Sequence, residues 1–166
     1  MSDPSNSWQS AEAAAGWRPA SGDLPDVNVW LALSYAQHPL HTVANRYWQT
    51  VCESGKSLWF SRCTMMGLVR VLTQTQAMGT NAMPLAQAMK VYRQWVTTPK
   101  VALLPDPPGL DSLIEQMLDA APALPTRLWM DIRLAATAQC AGLRLVTFER
   151  EVTLLGLEQC LILPRA

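Results

Sequence analysis

Three acidic residues stand where a charged side chain is costly unless it has a chemical role. Asp26 interrupts the apolar run 24–33, Asp131 lies in an otherwise apolar segment, and Glu149 directly follows the apolar run 143–148. A carboxylate in such surroundings loses hydration that it must recover from a partner. Carboxylates collected from distant parts of a chain suit Mg²⁺ and Mn²⁺, which prefer hard oxygen ligands. These residues therefore predict a divalent-metal site that activates water against a phosphodiester.

The segment 129–151 is expected to position two of the three acids. Its alanines favour a helix, Gly142 suits the left-handed position just past a helix end, and residues 143–148 have the composition of a short buried strand. A helix that leads into a strand is typical of α/β folds, in which ligands bind beyond the carboxyl ends of the strands. Glu149 is predicted to lie at that edge.

The rest of the chain repeats this alternation of strands and helices. Predicted strands cover residues 24–33, 58–60, 101–104 and 157–163, and amphipathic helices are predicted over 38–52, 63–72, 85–96 and a segment that starts near Asp111. The order, roughly β-α-α-β-α-α-β-α-α-β-β, predicts an α/β fold with a mostly parallel sheet between two layers of helices.

Composition predicts one globular domain. The chain has 166 residues, of which 49% are hydrophobic and 16% charged, and its formal net charge is zero, so any contact with nucleic acid must be local. Residues 1–23 lack periodicity and are predicted to be a flexible tail before a domain at 24–166. The start lacks a signal-peptide pattern, no apolar run is long enough for a bilayer, and the four cysteines have no metal spacing, so we expect a cytoplasmic chain without a membrane partner.

Four segments carry a resemblance to a known family. They are PDVNVWLALSYAQHPLH, RCTMMGLVRVLTQ, LPDPPGLDSL and LWMDIRLAATAQCAGLRLVTFERE, and they occur in the family's order and spacing. The chain resembles the PIN domains, and among them the VapC-type ribonuclease toxins of bacterial toxin–antitoxin pairs. The resemblance covers residues 24–163 and implies a three-layer α/β/α domain with a Mg²⁺-dependent endoribonuclease site, for which Mn²⁺ could substitute.

The resemblance also implies roles for individual residues. Asp26, Asp131 and Glu149 match the family's catalytic, metal-binding acids, and Asn28 and Thr147 stand at neighbouring polar positions that could orient ligands or water. The family's partners are an RNA substrate and a VapB-like antitoxin that covers the acidic groove, and its members form homodimers.

Two departures from the family pattern leave a second interpretation open. Where many members carry a Glu in a Thr-Glu-x-Gly-Leu pattern this chain has Met65, which cannot bind Mg²⁺, and Glu149 replaces an Asp. Glu151 is the one nearby acid that could substitute. The alternative is a catalytically weakened or inactive PIN module that binds RNA or a protein. A phosphoryl-accepting receiver domain is disfavoured, because none of the three lysines follows the last strand.

Basic and aromatic residues supply candidates for RNA binding. Arg62, Arg70, Arg144 and Arg150 flank the proposed site segments and could hold phosphates, although each could equally be an ordinary surface charge. Tryptophan rings can stack on bases, but five of the seven are predicted to lie in the core: Trp30, Trp48, Trp59, Trp95 and Trp129.

Overall fold

The computed structural model describes residues 21–165, and within them five short strands form one parallel sheet. The strands are β1 (Asp23–Pro25), β2 (Leu58–Phe60), β3 (Val101–Leu103), β4 (Arg144–Thr147) and β5 (Cys160–Ile162). Their order is β3-β2-β1-β4-β5, with β1 in the centre and paired in parallel with both β2 and β4. This sheet confirms the predicted α/β class.

Helices connect the strands and cover both faces of the sheet. They are α1 (Val27–Ser34), α2 (His41–Ser54), α3 (Arg62–Leu72), α4 (Thr75–Met78), α5 (Leu85–Val96), α6 (Leu110–Ala120) and α7 (Trp129–Ala141). Short 3₁₀ helices cover Gly79–Asn81, Thr126–Leu128 and Arg150–Leu155. No helix within residues 21–165 has both the length and the apolar character needed to cross a bilayer.

Two cores meet the sheet from opposite sides, because side chains alternate along each strand. Phe60 and Val146 belong to the core that packs under α1, α2, α3 and α5, where the ring of Trp30 stacks on Phe60 with centroids 3.8 Å apart. Leu24 and Leu145 belong to the core under α7. The domain is therefore a three-layer α/β/α sandwich, as predicted.

The prediction of a long first strand over residues 24–33 is wrong. β1 ends at Pro25, and Val27–Ser34 forms α1, whose N-cap is Asp26. An apolar run of this length suits a buried helix as well as a buried strand. The Asp26 side chain decides between them, because it accepts a hydrogen bond from the Val27 N–H at 2.6 Å and so starts the helix.

Three further predictions can be compared with the structure. Gly142 ends α7 in the left-handed conformation with φ 68°, as predicted. Trp129 was predicted to lie in the core, which is wrong: it begins α7, ahead of the positions that pack on the sheet, and its side chain is 49% exposed. The predicted tail lies outside the described residues except for positions 21–23, where Asp23 already starts β1.

Candidate metal centre

Asp26 is fixed at the carboxyl end of the central strand by hydrogen bonds to both carboxylate oxygens. Its backbone N–H donates to the Val146 carbonyl at 2.8 Å, which continues the pairing of β1 with β4. Oδ1 accepts the α1 capping bond, and Oδ2 accepts from Thr147 Oγ1 at 2.8 Å and from Asn28 Nδ2 at 3.0 Å. The carboxylate is thus held in one orientation toward the edge of the sheet.

Thr147 and Asn28 connect Asp26 to the end of β4. The Thr147 side chain is buried, and its Oγ1 also accepts a hydrogen bond from the Glu149 N–H at 3.0 Å. The side-chain amide oxygen of Asn28, Oδ1, accepts from the Phe148 N–H at 3.4 Å. The structure therefore brings these two polar residues to Asp26, where the sequence placed them.

Asp131 lies in the first turn of α7 and faces the other acids of the site. Its half-buried position, together with repulsion from Asp26, Glu149 and Glu151, raises the pKa of its carboxyl group to about 6. Burial, and to a smaller extent the charge of Glu149, also raises the pKa of Asp26 against the lowering effect of its hydrogen bonds. Four acids from three separate parts of the chain therefore share one electrostatic neighbourhood.

Two of these acids are held by arginines. Glu149 forms an ion pair with Arg165, whose Nε also donates to the Phe148 carbonyl, and Glu151 pairs with Arg127 at 2.6 Å. Across residues 21–165, no group of three or more His, Cys, Asp or Glu side chains has an arrangement that could hold a metal ion directly. Asp26 and Asp131 are the acids of the site that have no arginine partner among the described residues.

The donor set fits a hard divalent cation. All four candidate groups are carboxylates, and repulsion from Asp26 helps to raise the pKa of Asp131, which is the condition that a bound cation relieves. Mg²⁺ keeps several of its waters and needs only a few protein ligands, so it does not require a closed protein cage. Ligation by Glu149 would require that its carboxylate leave Arg165.

Comparison with known proteins identifies the family. The chain is 30% identical over 137 residues to Ribonuclease VapC41 of Mycobacterium tuberculosis, a match that covers 80% of this chain and 92% of the relative. The chain belongs to the VapC family of PIN-domain ribonuclease toxins. Ribonuclease VapC33 of the same organism is 26% identical over 113 residues, covering 68% of this chain and 78% of the relative. No family model matches the chain.

Solved structures of VapC proteins share the fold. VapBC2 from Rickettsia felis, crystallised with a DNA fragment from its promoter, aligns with a TM-score of 0.65 at 8% identity, covering 86% of this chain and 98% of the other. The sarcin–ricin-loop-cleaving toxin VapC20 of M. tuberculosis aligns with a TM-score of 0.59 at 16% identity, covering 86% of this chain and all of the other.

One acid that many members of the VapC family carry is missing from α3 of this chain. Met65, where the sequence comparison placed the absent Glu, packs against the core under α3. The position that faces α1 is Gly67, where an added Cβ would lie 2.5 Å from Cγ2 of Val27, the residue next to Asp26. A side chain at this position of α3 would therefore press on the residue that follows Asp26.

The predicted RNA-binding arginines have different positions in the structure. Arg62 begins α3 just beyond β2, and Arg150 follows Glu149, so both are exposed at the carboxyl edge. Arg70 is exposed in the last turn of α3, about 12 Å along the helix from Arg62. Arg144 lies at the opposite edge, where it pairs with the buried Asp23 at 2.7 Å.

Three arginines near the site were not found from the sequence. Arg127 and Arg165 were missed because their partners, Glu151 and Glu149, lie 24 and 16 residues away along the chain. Arg133 lies within the segment that carries the resemblance, two residues after Asp131, but its partners Cys63 and Asp106 come from other elements. Sequence proximity to a site acid was the available signal, and for Arg133 it was not used.

Proposed function

We propose that this chain is a divalent-metal-dependent endoribonuclease that acts as the toxin of a toxin–antitoxin pair. One observation carries the metal site: burial and repulsion from Asp26 raise the pKa of the Asp131 carboxyl group to about 6, and this group has no cationic partner in the part of the chain that the structure describes. Such a pair of carboxylates is stabilised by a cation between them. The curated relatives named as ribonucleases support the reaction class.

In this proposal Mg²⁺ or Mn²⁺ is held by Asp26 and Asp131, and by Glu149 after it separates from Arg165. The bound ion would polarise the phosphate and make water a stronger nucleophile. Asp26 holds its position because Thr147 donates to it at 2.8 Å, so little reorganisation is needed when the ligand arrives. Glu151 remains a supporting acid, since Arg127 holds it beside the site.

RNA is the proposed substrate, and exposed cations at the carboxyl edge would hold its backbone. Arg62 and Arg150 stand on either side of the acids, at the ends of β2 and β4. Arg70 could extend the contact along α3. Phosphate contacts of this kind fix the register of a nucleic acid without reading its sequence.

A VapB-like antitoxin is the proposed protein partner. Trp129 and Met130, which directly precede Asp131, are 49% and 53% exposed, and Met66 beside Gly67 is 62% exposed. Large apolar side chains that flank a charged groove are typical of a surface covered by a partner. The VapBC2 structure from R. felis supports such an assembly. We also propose a homodimer, as the family resemblance implies, and a cytoplasmic location, where the four free cysteines stay reduced.

A PIN module that binds RNA without cutting it is the second candidate. Two observations favour it: Glu149 is held by Arg165, and Met65 stands where many family members carry a further acid. In this case the chain would bind RNA or a protein partner through the same groove.

Cleavage of RNA by the purified chain separates the two candidates. Labelled RNA is incubated with Mg²⁺ or Mn²⁺, with and without EDTA, and Asp26→Asn is compared with Asp119→Asn, which removes an exposed acid of α6. We expect metal-dependent cleavage that EDTA abolishes, that falls at least 100-fold in Asp26→Asn and that is unchanged in Asp119→Asn. Binding of RNA without cleavage by the wild type would favour the inactive module.

A further inference from the structure

Arg133 connects the two helical layers at the carboxyl edge of the sheet. It projects from α7, on one face of the sheet, and its Nε donates to Cys63 Sγ at 3.0 Å in the first turn of α3, on the other face. Its Nη2 donates to Asp106 Oδ2 at 2.8 Å, in the loop that follows β3. The guanidinium therefore lies above the carboxyl ends of β2 and β3.

This position is beside the acids of the proposed metal site. β2 is the direct neighbour of β1, whose end carries Asp26, and β3 is the next strand outward. The two anchors of Arg133, Cys63 and Asp106, therefore follow the first and the second strand on that side of β1. A strand of RNA with one phosphate at Asp26 and Asp131 would pass this guanidinium as it leaves the site.

The guanidinium of Arg133 is held by two hydrogen bonds, from Nε and Nη2, and has N–H groups left to donate. Its side chain is 25% exposed, and one nitrogen, Nη1, has no hydrogen-bond partner among residues 21–165. Because Cys63 and Asp106 fix the plane of the group, its remaining N–H bonds point in a set direction. A fixed planar fork with free N–H donors is suited to a phosphate group.

Charge also distinguishes Arg133 from Arg127 and Arg165. Arg127 and Arg165 neutralise Glu151 and Glu149, which belong to the acid cluster itself. Arg133 instead pairs with Asp106, which does not contribute to the raised pKa of Asp131 or of Asp26. An acidic groove repels RNA, so a cation that does not pair with the groove's own acids, as Arg62 and Arg150 also do not, can help to hold the backbone.

We propose that Arg133 binds a backbone phosphate of the RNA next to the one that reacts, and that Asp106 and Cys63 hold its guanidinium in place for this contact. This inference rests on the proposed function and names a positioning residue for the same substrate. Asp106 then has two opposed effects, because it orients Arg133 but also offers a negative charge against which the phosphate must compete.

Two variants on the same ion pair test the proposal. Arg133→Gln removes the charge of the guanidinium, while Asp106→Asn removes the competing carboxylate and leaves an oxygen that can still accept from Nη2. Arg93→Gln is the control, since Arg93 is an exposed arginine in the last turn of α5, which leads to the amino edge of the sheet. All variants are made in the Asp131→Asn background and measured in EDTA, so that the RNA stays intact.

Fluorescence anisotropy with a labelled single-stranded RNA of mixed sequence gives the affinity at several salt concentrations. We expect Arg133→Gln to weaken binding about tenfold and to lower the slope of log affinity against log salt by about 0.7, the value for one lost phosphate contact on a single strand. Asp106→Asn should tighten binding, and Arg93→Gln should leave affinity and slope unchanged. Thermal unfolding should show similar, small losses of stability in both ion-pair variants.

The two variants separate a phosphate contact from a structural role. If Arg133 only braces α7 against α3, Arg133→Gln and Asp106→Asn will change RNA binding in the same direction and the salt slope will not move, which overturns the proposal. An unchanged affinity in Arg133→Gln overturns it as well. Because these measurements need no cleavage, a chain that binds RNA through Arg133 but never cuts it would refute the proposed enzyme and keep this inference.

Discussion

At the scale of single residues, the Asp26 carboxylate both caps a helix and accepts hydrogen bonds from two other side chains. One carboxylate oxygen caps α1 through the Val27 N–H, and the other accepts from Thr147 and Asn28. Its orientation is therefore set by the start of a helix and by a neighbouring strand. Asp131 lies in the first turn of α7, whose N-cap is Leu128, and repulsion from Asp26, Glu149 and Glu151 acts on its carboxyl group. Asp131 is consequently the acid most exposed to repulsion.

Asp131 should destabilise the folded chain at neutral pH when no metal is present. Its pKa of about 6 in the folded state lies above the usual aspartate value of 3.8, so the folded chain holds the proton more tightly and the free energy of unfolding falls as pH rises from about 4 to about 6. We expect Asp131→Asn to raise that free energy by about 1 kcal/mol at pH 7, a value reduced for solvent screening at this half-buried carboxyl.

Urea unfolding at pH 4 and pH 7, in EDTA, measures this effect. The gain of Asp131→Asn over the wild type should be present above pH 6 and should be much smaller near pH 4, where the wild-type carboxyl is protonated in the folded state and about half protonated in the unfolded state. Asp119→Asn on the surface of α6 serves as the matched control. A variant that is less stable than the wild type at pH 7 would show that Asp131 has a stabilising partner.

The sequence predicted that the candidate acids lie near one another, but it did not predict their arginine partners. The sequence marks these acids because each stands among apolar residues or directly beyond an apolar run, where a charge is costly: Asp26, Asp131 and Glu149. The pairing of Glu149 with Arg165 depends on how β5 returns beside β4. The pattern of residue types does not predict that β5 pairs with β4. A single Arg at position 165 therefore gave no sign of its partner.

At the scale of elements, the junction between β1 and α1 was the main point on which sequence and structure differ. The run 24–33 is apolar throughout except for Asp26 and Asn28, and such a run suits a buried strand or a buried helix. The capping bond of Asp26 resolves the choice in three dimensions. The strands at 58–60 and 101–103 and the helix at 85–96 were predicted well, because Pro, Gly and polar residues bound them.

Close packing of α3 on α1 should be sensitive to any side chain at position 67. In Gly67→Ala the added Cβ would lie 2.5 Å from Val27 Cγ2, so one helix must shift, and we expect a loss of about 1–3 kcal/mol of stability. The shift also moves the residue next to Asp26, so metal affinity should fall. Chemical unfolding and calorimetric metal titration measure the two effects.

Val27→Ala combined with Gly67→Ala provides the control for that prediction. Removing the two Val27 methyl groups makes room for the new Cβ, so the double variant should regain metal affinity even though Val27→Ala alone loses some packing.

Met65→Glu should be destabilising without gain of activity, because Met65 packs on the core. If Met65→Glu instead increases cleavage, position 65 does reach the metal site.

At the scale of the whole molecule, the carboxyl ends and the amino ends of the strands carry different clusters of charged residues. The carboxyl edge gathers Asp26, Asp131, Glu149 and Glu151, whereas the amino edge holds a compact ion pair. There Asp23, only 1% exposed, accepts from Arg144 at both oxygens and from the Tyr47 hydroxyl at 2.8 Å. This second cluster ties β1 to β4 and α2 at the end away from the chemistry.

Removal of Arg144 should affect stability and leave RNA binding intact. Arg144→Gln leaves the buried Asp23 without its cation, and breaking such a pair from one side costs several kcal/mol; about 2–3 kcal/mol is expected here because Arg144 is one-third exposed. Chemical unfolding should show the loss, while anisotropy with single-stranded RNA should show wild-type affinity at a temperature where the variant is folded. Weaker RNA binding by a folded variant would place Arg144 in the RNA contact.

The central claim is that the acids at the carboxyl edge bind a divalent cation that cleavage requires. Its most direct test is calorimetric titration of Mg²⁺ or Mn²⁺ into the wild type and Asp131→Asn, with RNA cleavage followed on the same samples. We predict that the wild type binds the cation and cuts RNA, and that Asp131→Asn loses both while remaining folded. A wild type that binds neither cation, or an Asp131→Asn variant that still cuts RNA, would contradict the account.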